Sequence, residues 1–146
     1  MSTPSRPALW LGYAGLLPFA SLAWASLAAT TPWNAHAATA LMAYGASILS
    51  FMGAIHWGLA MGASAGGAKG SLNRQLVWGV IPSLLAWVAM LLPVAGGLWL
   101  TGAGLWACFA VDRKVYPACG LQGWLQLRLV LTLGATACCG LVVWKL

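Results

Sequence analysis

The stretch that decides the fold is a long uncharged segment in the first half of the chain. Residues 37–62 read AATALMAYGASILSFMGAIHWGLAMG and contain no aspartate, glutamate, lysine or arginine. A helix needs about 20 mostly apolar residues to cross the hydrocarbon core of a bilayer. The segment is apolar on every face, whereas strands of a closed barrel alternate polar and apolar positions. It therefore predicts a membrane-spanning helix.

Four further apolar stretches lie on either side of this segment. They cover residues 8–29, 76–94, 96–111 and 124–146, and the stretch at 96–111 is the shortest. Polar, Gly-rich or Pro-containing connections separate them, and the longest polar connection runs from Asp112 to Gly123. The sequence therefore predicts an all-α membrane protein, a single domain of residues 1–146 built as a bundle of about five transmembrane helices.

The composition excludes several classes of protein. Of the 146 residues, 62% are hydrophobic and 5% are charged, against about 25% charged residues in an ordinary soluble domain. Asp112 is the single acid, so the net charge of +6 reflects missing acids and not a basic stripe. A soluble enzyme and a nucleic-acid-binding domain are both excluded, and the expected partners are the lipid bilayer and other membrane-protein subunits.

The positive charges predict the orientation of the bundle. With five crossings, one side of the membrane carries Lys145 alone, and the other side carries Arg6, Lys69, Arg74, Arg113, Lys114 and Arg128. Cytoplasmic loops are the ones enriched in lysine and arginine. We therefore expect the N-terminus in the cytoplasm and the C-terminus in the periplasm of a bacterial inner membrane, or the equivalent arrangement in a mitochondrial inner membrane.

The first apolar stretch also resembles a secretory signal. Arg6 precedes it, and Ala23-Trp24-Ala25 resembles an A-x-A cleavage site. The stretch is long for a signal peptide, and Pro18 interrupts it. We therefore expect it to be retained as a transmembrane helix.

His56 is the first candidate functional residue. It lies about six residues, or about 9 Å, inside the predicted end of its span, and an ionisable residue at that depth indicates either a functional site or a hydrogen bond between helices. His36 opens the same span about 30 Å away, so the two histidines cannot share one metal or haem iron within a monomer. Trp57 follows His56 directly.

Asp112 is predicted to lie at the end of the fourth span and to need a cation. A carboxylate at a helix C-terminus opposes the helix dipole, and Arg74 and Arg128 are both expected at the same membrane face. We predict that Asp112 pairs with one of them and ties helix ends together, with a proton or anion site as the alternative. Together with His56, these residues make the cytoplasmic face the candidate polar cluster or binding site.

The cysteines and tryptophans indicate packing more than chemistry. No C-x-x-C pair occurs, so the common zinc and redox signatures are absent and no metal site is predicted. Small residues at Ala43, Ser47, Ser50, Ala54 and Gly58 share one helix face, which predicts a close approach to a neighbouring helix and a central place for this span. The chain is tryptophan-rich, with ten in total, and most are expected at span ends or against lipid.

Four short stretches together resemble a known family. The most specific is Gly53-Ala54-Ile55-His56-Trp57-Gly58, with Tyr44-Gly45-Ala46 upstream, and the others are residues 81–87, 112–114 and 127–129. Over about Leu11 to Val143 the chain resembles the domain of unknown function 3429 family, the family of mitochondrial transmembrane protein 69. The resemblance implies a small helical protein of the bacterial or mitochondrial inner membrane, and it implies no known reaction or catalytic residue.

Three functional hypotheses follow from the sequence. The chain lacks a nucleophile paired with a base, paired carboxylates and a phosphate loop, which favours a non-enzymatic accessory, assembly or small-ligand-binding subunit. A second hypothesis is a small-molecule or proton-coupled transporter that uses His56 as its titrating group. A third is a haem- or quinone-binding subunit, although no cofactor is predicted directly.

Overall fold

The computed structural model describes residues 3–65 and 72–146, and every regular element in those two ranges is helical. In chain order the elements are α1 (Arg6–Ala14), α2 (Leu16–Ala28), α3 (Trp33–Ala65), α4 (Leu72–Leu91), α5 (Val94–Ala118), a short 3-10 turn (Gln122–Trp124) and α6 (Leu125–Lys145). The predicted loop residue Lys69 lies outside the described residues.

Five segments of the described chain are long and apolar enough to cross a membrane, which confirms the predicted helical class. The first of them, Arg6–Ala28, consists of α1 and α2 together. Pro18 explains the interruption, because its nitrogen cannot donate to the Ala14 carbonyl and its ring crowds that carbonyl. The Tyr44 hydroxyl of α3 donates to the carbonyl of Gly15, at a distance of 3.0 Å, and so joins α3 to the break between the two helices.

The fourth span is longer than the sequence predicted. α5 runs over Val94–Ala118, whereas the expected span ended at residue 111. It ends in a Schellman motif: Gly120 has φ +71°, and the Leu121 amide donates to the Tyr116 carbonyl at 2.8 Å. Placing a loop at Asp112 was therefore wrong. Asp112 lies inside a helix that continues to its glycine stop signal, and partners from other helices compensate the buried charge.

α3 lies at the centre of the bundle and contacts α2, α4, α5 and α6. The predicted small-residue face makes only part of these contacts, because Ser50 bonds to α4 whereas Ser47, Ala54 and Gly58 are exposed. Large apolar side chains such as Leu41 and Leu49 occupy the inward face instead, and both are fully buried. The predicted central place of this span is confirmed, but the face that packs was predicted only in part, because a segment that is apolar on every face does not determine its rotation about its own axis.

A glycine contact brings α3 and α4 close together. A Cβ atom placed on Gly53 would collide with the carbonyl oxygen of Gly79, so only glycine fits at this crossing. Pro82 lies one turn farther along α4 and faces the same notch, and α4 continues past it as a helix. A hydrogen bond of 2.9 Å between the hydroxyls of Ser50 and Ser83 adds a polar link between the two helices.

The outer surface is rich in tryptophan. Eight of the ten tryptophans are exposed: Trp10, Trp24, Trp33, Trp57, Trp87, Trp99, Trp106 and Trp144. In a membrane these side chains face lipid or the headgroup region, as aromatic belts do. At the end of the bundle where α2 and α6 finish, Lys145 Nζ donates to the Leu27 carbonyl and so occupies one of the free carbonyls at the C-terminus of α2.

Candidate functional site

A buried ion pair joins α5 and α6. The Arg128 guanidinium donates to the Asp112 carboxylate through Nε at 2.8 Å and through Nη2 at 2.6 Å, both to Oδ2. Asp112 is 2% exposed and Arg128 is 7% exposed. Arg128 lies one turn into α6, close to the connection from α5, so its side chain reaches the last third of α5, where Asp112 lies. Of the two arginines that were predicted as partners of Asp112, Arg128 is the one that pairs with it in the structure.

His56 completes this arrangement from α3. Its Nε2 lies 3.0 Å from Asp112 Oδ1, and the residue is 1% exposed. A carboxylate paired with arginine has only acceptors, so Nε2 must carry the hydrogen and donate it to Asp112. In the neutral imidazole this leaves Nδ1 as an acceptor, and Nδ1 has no hydrogen-bond partner. His56, Asp112 and Arg128 are called the charged triad below.

The triad ties three helices at one point. α3 contributes His56 and, one turn earlier, Met52, whose sulfur accepts a hydrogen bond from Arg128 Nη1. α5 contributes Asp112 and, one turn later, Tyr116, which is 4% exposed and close enough to interact electrostatically with both charges. In lipid an unpaired charge at this depth is costly, so each charged member holds its partners in place.

Trp57 and Arg74 do not join the triad. Trp57 is 43% exposed, and its indole Nε1 donates to the Leu76 carbonyl of α4 at 3.0 Å. Its ring lies against Gly79, where a Cβ atom would collide with it. Arg74 is exposed in the first turn of α4, and no ion pair to Asp112 is found for it among the described residues. Consecutive helix positions point about 100° apart, so a residue next to His56 in sequence faces elsewhere.

An apolar groove opens between α1, α3 and α6 and reaches the triad. Two adjoining cavities, of about 160 Å³ and about 370 Å³, form it. The smaller continues along α2 to Phe19, and the larger extends to Leu121 and Trp124 near the start of α6. Both have almost wholly apolar walls, and the residues that line both are Gly12, Phe51, Met52, Arg128 and Leu131. Arg128 is the charged side chain of this lining.

Sequence reasoning missed Met52, Tyr116 and the groove. Met52 precedes His56 by four residues and Tyr116 follows Asp112 by four, so helical spacing alone would have placed them beside the triad. Tyr116 was missed because the predicted fourth span ended at residue 111 and the residues after it were interpreted as a loop. No sequence pattern indicated the groove, because glycine and leucine are common residues in any apolar helix.

Metal binding finds no support in the described ranges. No group of three histidine, cysteine or acidic side chains is close enough there to hold an ion.

The described cysteines are all free thiols. Cys108 and Cys139 are buried, Cys138 is half-buried and Cys119 is exposed at the end of α5. Within the triad, His56 Nδ1 is buried and has no hydrogen-bond partner among the described residues.

Comparison with known proteins shows where the chain belongs. The family described as protein of unknown function (DUF3429) matches residues 4–144. Transmembrane protein 69 of Xenopus tropicalis is 36% identical over 135 residues, which cover 89% of this chain and 51% of the relative. The chain thus spans about half the length of this curated relative. No solved structure matches. The extent of the family match shows that this multi-pass membrane protein belongs to the DUF3429 family.

Proposed function

We propose that this protein is a non-enzymatic subunit of the bacterial or mitochondrial inner membrane that binds a small amphiphilic molecule in the groove between α1, α3 and α6. The observation that carries the proposal is the apolar groove with a charged side chain in its wall. Arg128 borders both cavities, while the rest of their shared lining is apolar. Ligand sites have this composition, in which apolar walls supply contact area and a few polar groups fix orientation.

The donors of Arg128 indicate the kind of head group. Its Nη1 donates to the sulfur of Met52, and a thioether is a weak acceptor. A carbonyl oxygen from a ligand in the groove would be a stronger acceptor for the same donor. An anionic head group fits less well, because Asp112 already neutralises Arg128 and would repel a second negative charge. We therefore propose a neutral carbonyl compound with a long apolar chain, and a quinone meets both requirements.

The geometry favours a quinone over a haem. An iron ligand needs an accessible imidazole nitrogen, whereas His56 is 1% exposed and its Nε2 is taken by Asp112. His36 lies at the other end of α3, in its first turn. A quinone requires no metal ligand, only an acceptor for a donor such as Arg128 and space for its chain.

The transporter hypothesis loses its main support. A proton-coupled carrier that uses His56 needs a water-accessible path to that residue. In the described structure His56 is enclosed by α3, α4 and α5, and the groove is lined by Arg128 and Met52 but not by His56. The triad thus favours a structural role in a ligand-binding or accessory subunit.

The position of the ligand can be tested by filling the groove. Leu131→Trp introduces a large ring where the two cavities meet, because Leu131 lines both. Leu133→Trp, two residues along the same helix, is the matched control, because Leu133 is 50% exposed on the lipid face. Each variant is purified gently from its own membrane, and native mass spectrometry and solvent extraction measure the bound small molecules.

We expect the wild type and Leu133→Trp to retain a compound of a few hundred daltons that Leu131→Trp has lost. The ultraviolet spectrum and the mass of the extracted compound distinguish a quinone from a phospholipid. Equal retention by the two variants would contradict a site in this groove. If the wild-type protein carries no small molecule but copurifies with other subunits, the ligand-binding proposal is wrong and an accessory role is the better explanation.

A further inference from the structure

A second polar site lies on the other side of the triad, between α3 and α4. Four buried side-chain nitrogen or oxygen atoms of the described residues have no hydrogen-bond partner: His56 Nδ1, Gln75 Oε1, Trp78 Nε1 and Thr101 Oγ1. The first three belong to α3 and α4, which pack against each other. The rings of His56 and Trp78 are 6.4 Å apart and nearly perpendicular, at 84°, and Gln75 precedes Trp78 by three residues on the same face of α4.

The three atoms have complementary hydrogen-bonding roles. His56 Nδ1 is an acceptor, because Nε2 carries the hydrogen that is donated to Asp112. Trp78 Nε1 can only donate, and Gln75 Oε1 can only accept. A single group that satisfies all three must therefore accept one hydrogen bond and donate two. Water has this capacity, and buried waters in proteins make about three hydrogen bonds to otherwise unpaired groups.

We propose that one internal water molecule bridges His56 Nδ1, Trp78 Nε1 and Gln75 Oε1 and is a fixed part of the fold. The water makes His56 a positioning residue, because a donor to Nδ1 fixes the tautomer whose Nε2–H is directed at Asp112. The site is independent of the groove, which lies on the Arg128 side of the triad.

Nuclear magnetic resonance of the full chain in lipid nanodiscs tests this assignment. The protein is labelled with ¹⁵N at histidine and tryptophan, and His36, exposed at the start of α3, serves as the internal reference. We expect His56 to show a single tautomer, protonated at Nε2 and unprotonated at Nδ1, while His36 exchanges between tautomers. We also expect a cross-peak between water and the Nε1 proton of Trp78.

A pair of substitutions tests the role of the Trp78 donor. Trp78→Phe removes the donor and should shift the His56 Nδ1 resonance, whereas Trp87→Phe, at a 62% exposed position of the same helix, should leave it unchanged. A proton on Nδ1, a missing water cross-peak or an unmoved Nδ1 resonance in Trp78→Phe would each overturn the proposal. If Trp78→Phe does not fold, the wild-type cross-peak and tautomer decide the question.

Discussion

Replacing Asp112 by asparagine tests whether the charged triad stabilises the bundle. Asp112→Asn keeps the size of the side chain and removes its charge, which leaves the Arg128 guanidinium buried without a counter-ion. Removing one partner of a buried ion pair costs about 3–5 kcal/mol, because the other charge remains in a poorly solvating environment. Arg128 lies only one turn from the start of α6 and can extend toward the interface, so we expect the lower end of this range, about 3 kcal/mol.

Equilibrium unfolding in mixed micelles, followed by circular dichroism, measures this change. For a chain of this length about 3 kcal/mol corresponds to a fall in Tm of about 6–12 °C. The control is Arg74→Gln, which removes an exposed arginine with no ion pair to Asp112 and should leave the stability unchanged within error.

The double substitution Asp112→Asn with Arg128→Met supplies a second check. It removes both charges and places an apolar side chain of similar length on α6, so it should recover most of the lost stability. We expect the double variant to be about 2 kcal/mol more stable than Asp112→Asn alone. The reasoning is refuted if Asp112→Asn behaves like Arg74→Gln, or if the double variant is no more stable than Asp112→Asn alone.

Two further predictions concern the packing of α3 against α4 and the orientation of the bundle. Gly53→Ala should destabilise the protein by about 1–3 kcal/mol in the same unfolding assay, since its methyl group would collide with the Gly79 carbonyl and force α3 and α4 apart. Gly58→Ala meets nothing within 4 Å and should leave the stability unchanged or slightly raised, and equal effects at the two glycines would contradict the close crossing. A membrane-impermeant maleimide should label the exposed thiol of Cys119 only after cells are opened, because we propose that the end of α5 faces the cytoplasm. Thr30→Cys in a Cys119→Ser background should be labelled in intact cells, and the reverse pattern would invert the proposed orientation.

The number and nature of the helices follow from the sequence alone. A span is specified by a run of apolar residues of sufficient length, because backbone groups in lipid must be satisfied within the segment itself. This local rule identified residues 37–62 and the four other stretches without knowledge of their neighbours. It misplaced the end of the fourth span, since a charged residue such as Asp112 normally marks the edge of the hydrocarbon region. The Schellman stop at Gly120 was the better signal.

Part of the candidate site was also accessible to sequence reasoning. A single acid in a membrane chain must find a cation, which limited the partners of Asp112 to a few arginines. The choice between Arg74 and Arg128 was not accessible, because it depends on how far α6 lies from α5 and on the rotation of each helix. His56 was identified as unusual by its depth, but its hydrogen bond to Asp112 crosses from α3 to α5.

The rotations of the helices, and with them the triad and the groove, were decided by tertiary structure. When a helix is apolar on every face, its sequence does not indicate which side is buried. In lipid, the hydrophobic effect does not favour one buried side over another, because lipid tails are as apolar as the side chains. Two specific contacts therefore select the rotations of the helices. They are the close crossing at Gly53 and Gly79 and the pairing of Asp112 with Arg128. For this reason most of the small-residue face of α3 lies on the outer surface, while the sequence determined only that α3 would be a membrane-spanning helix.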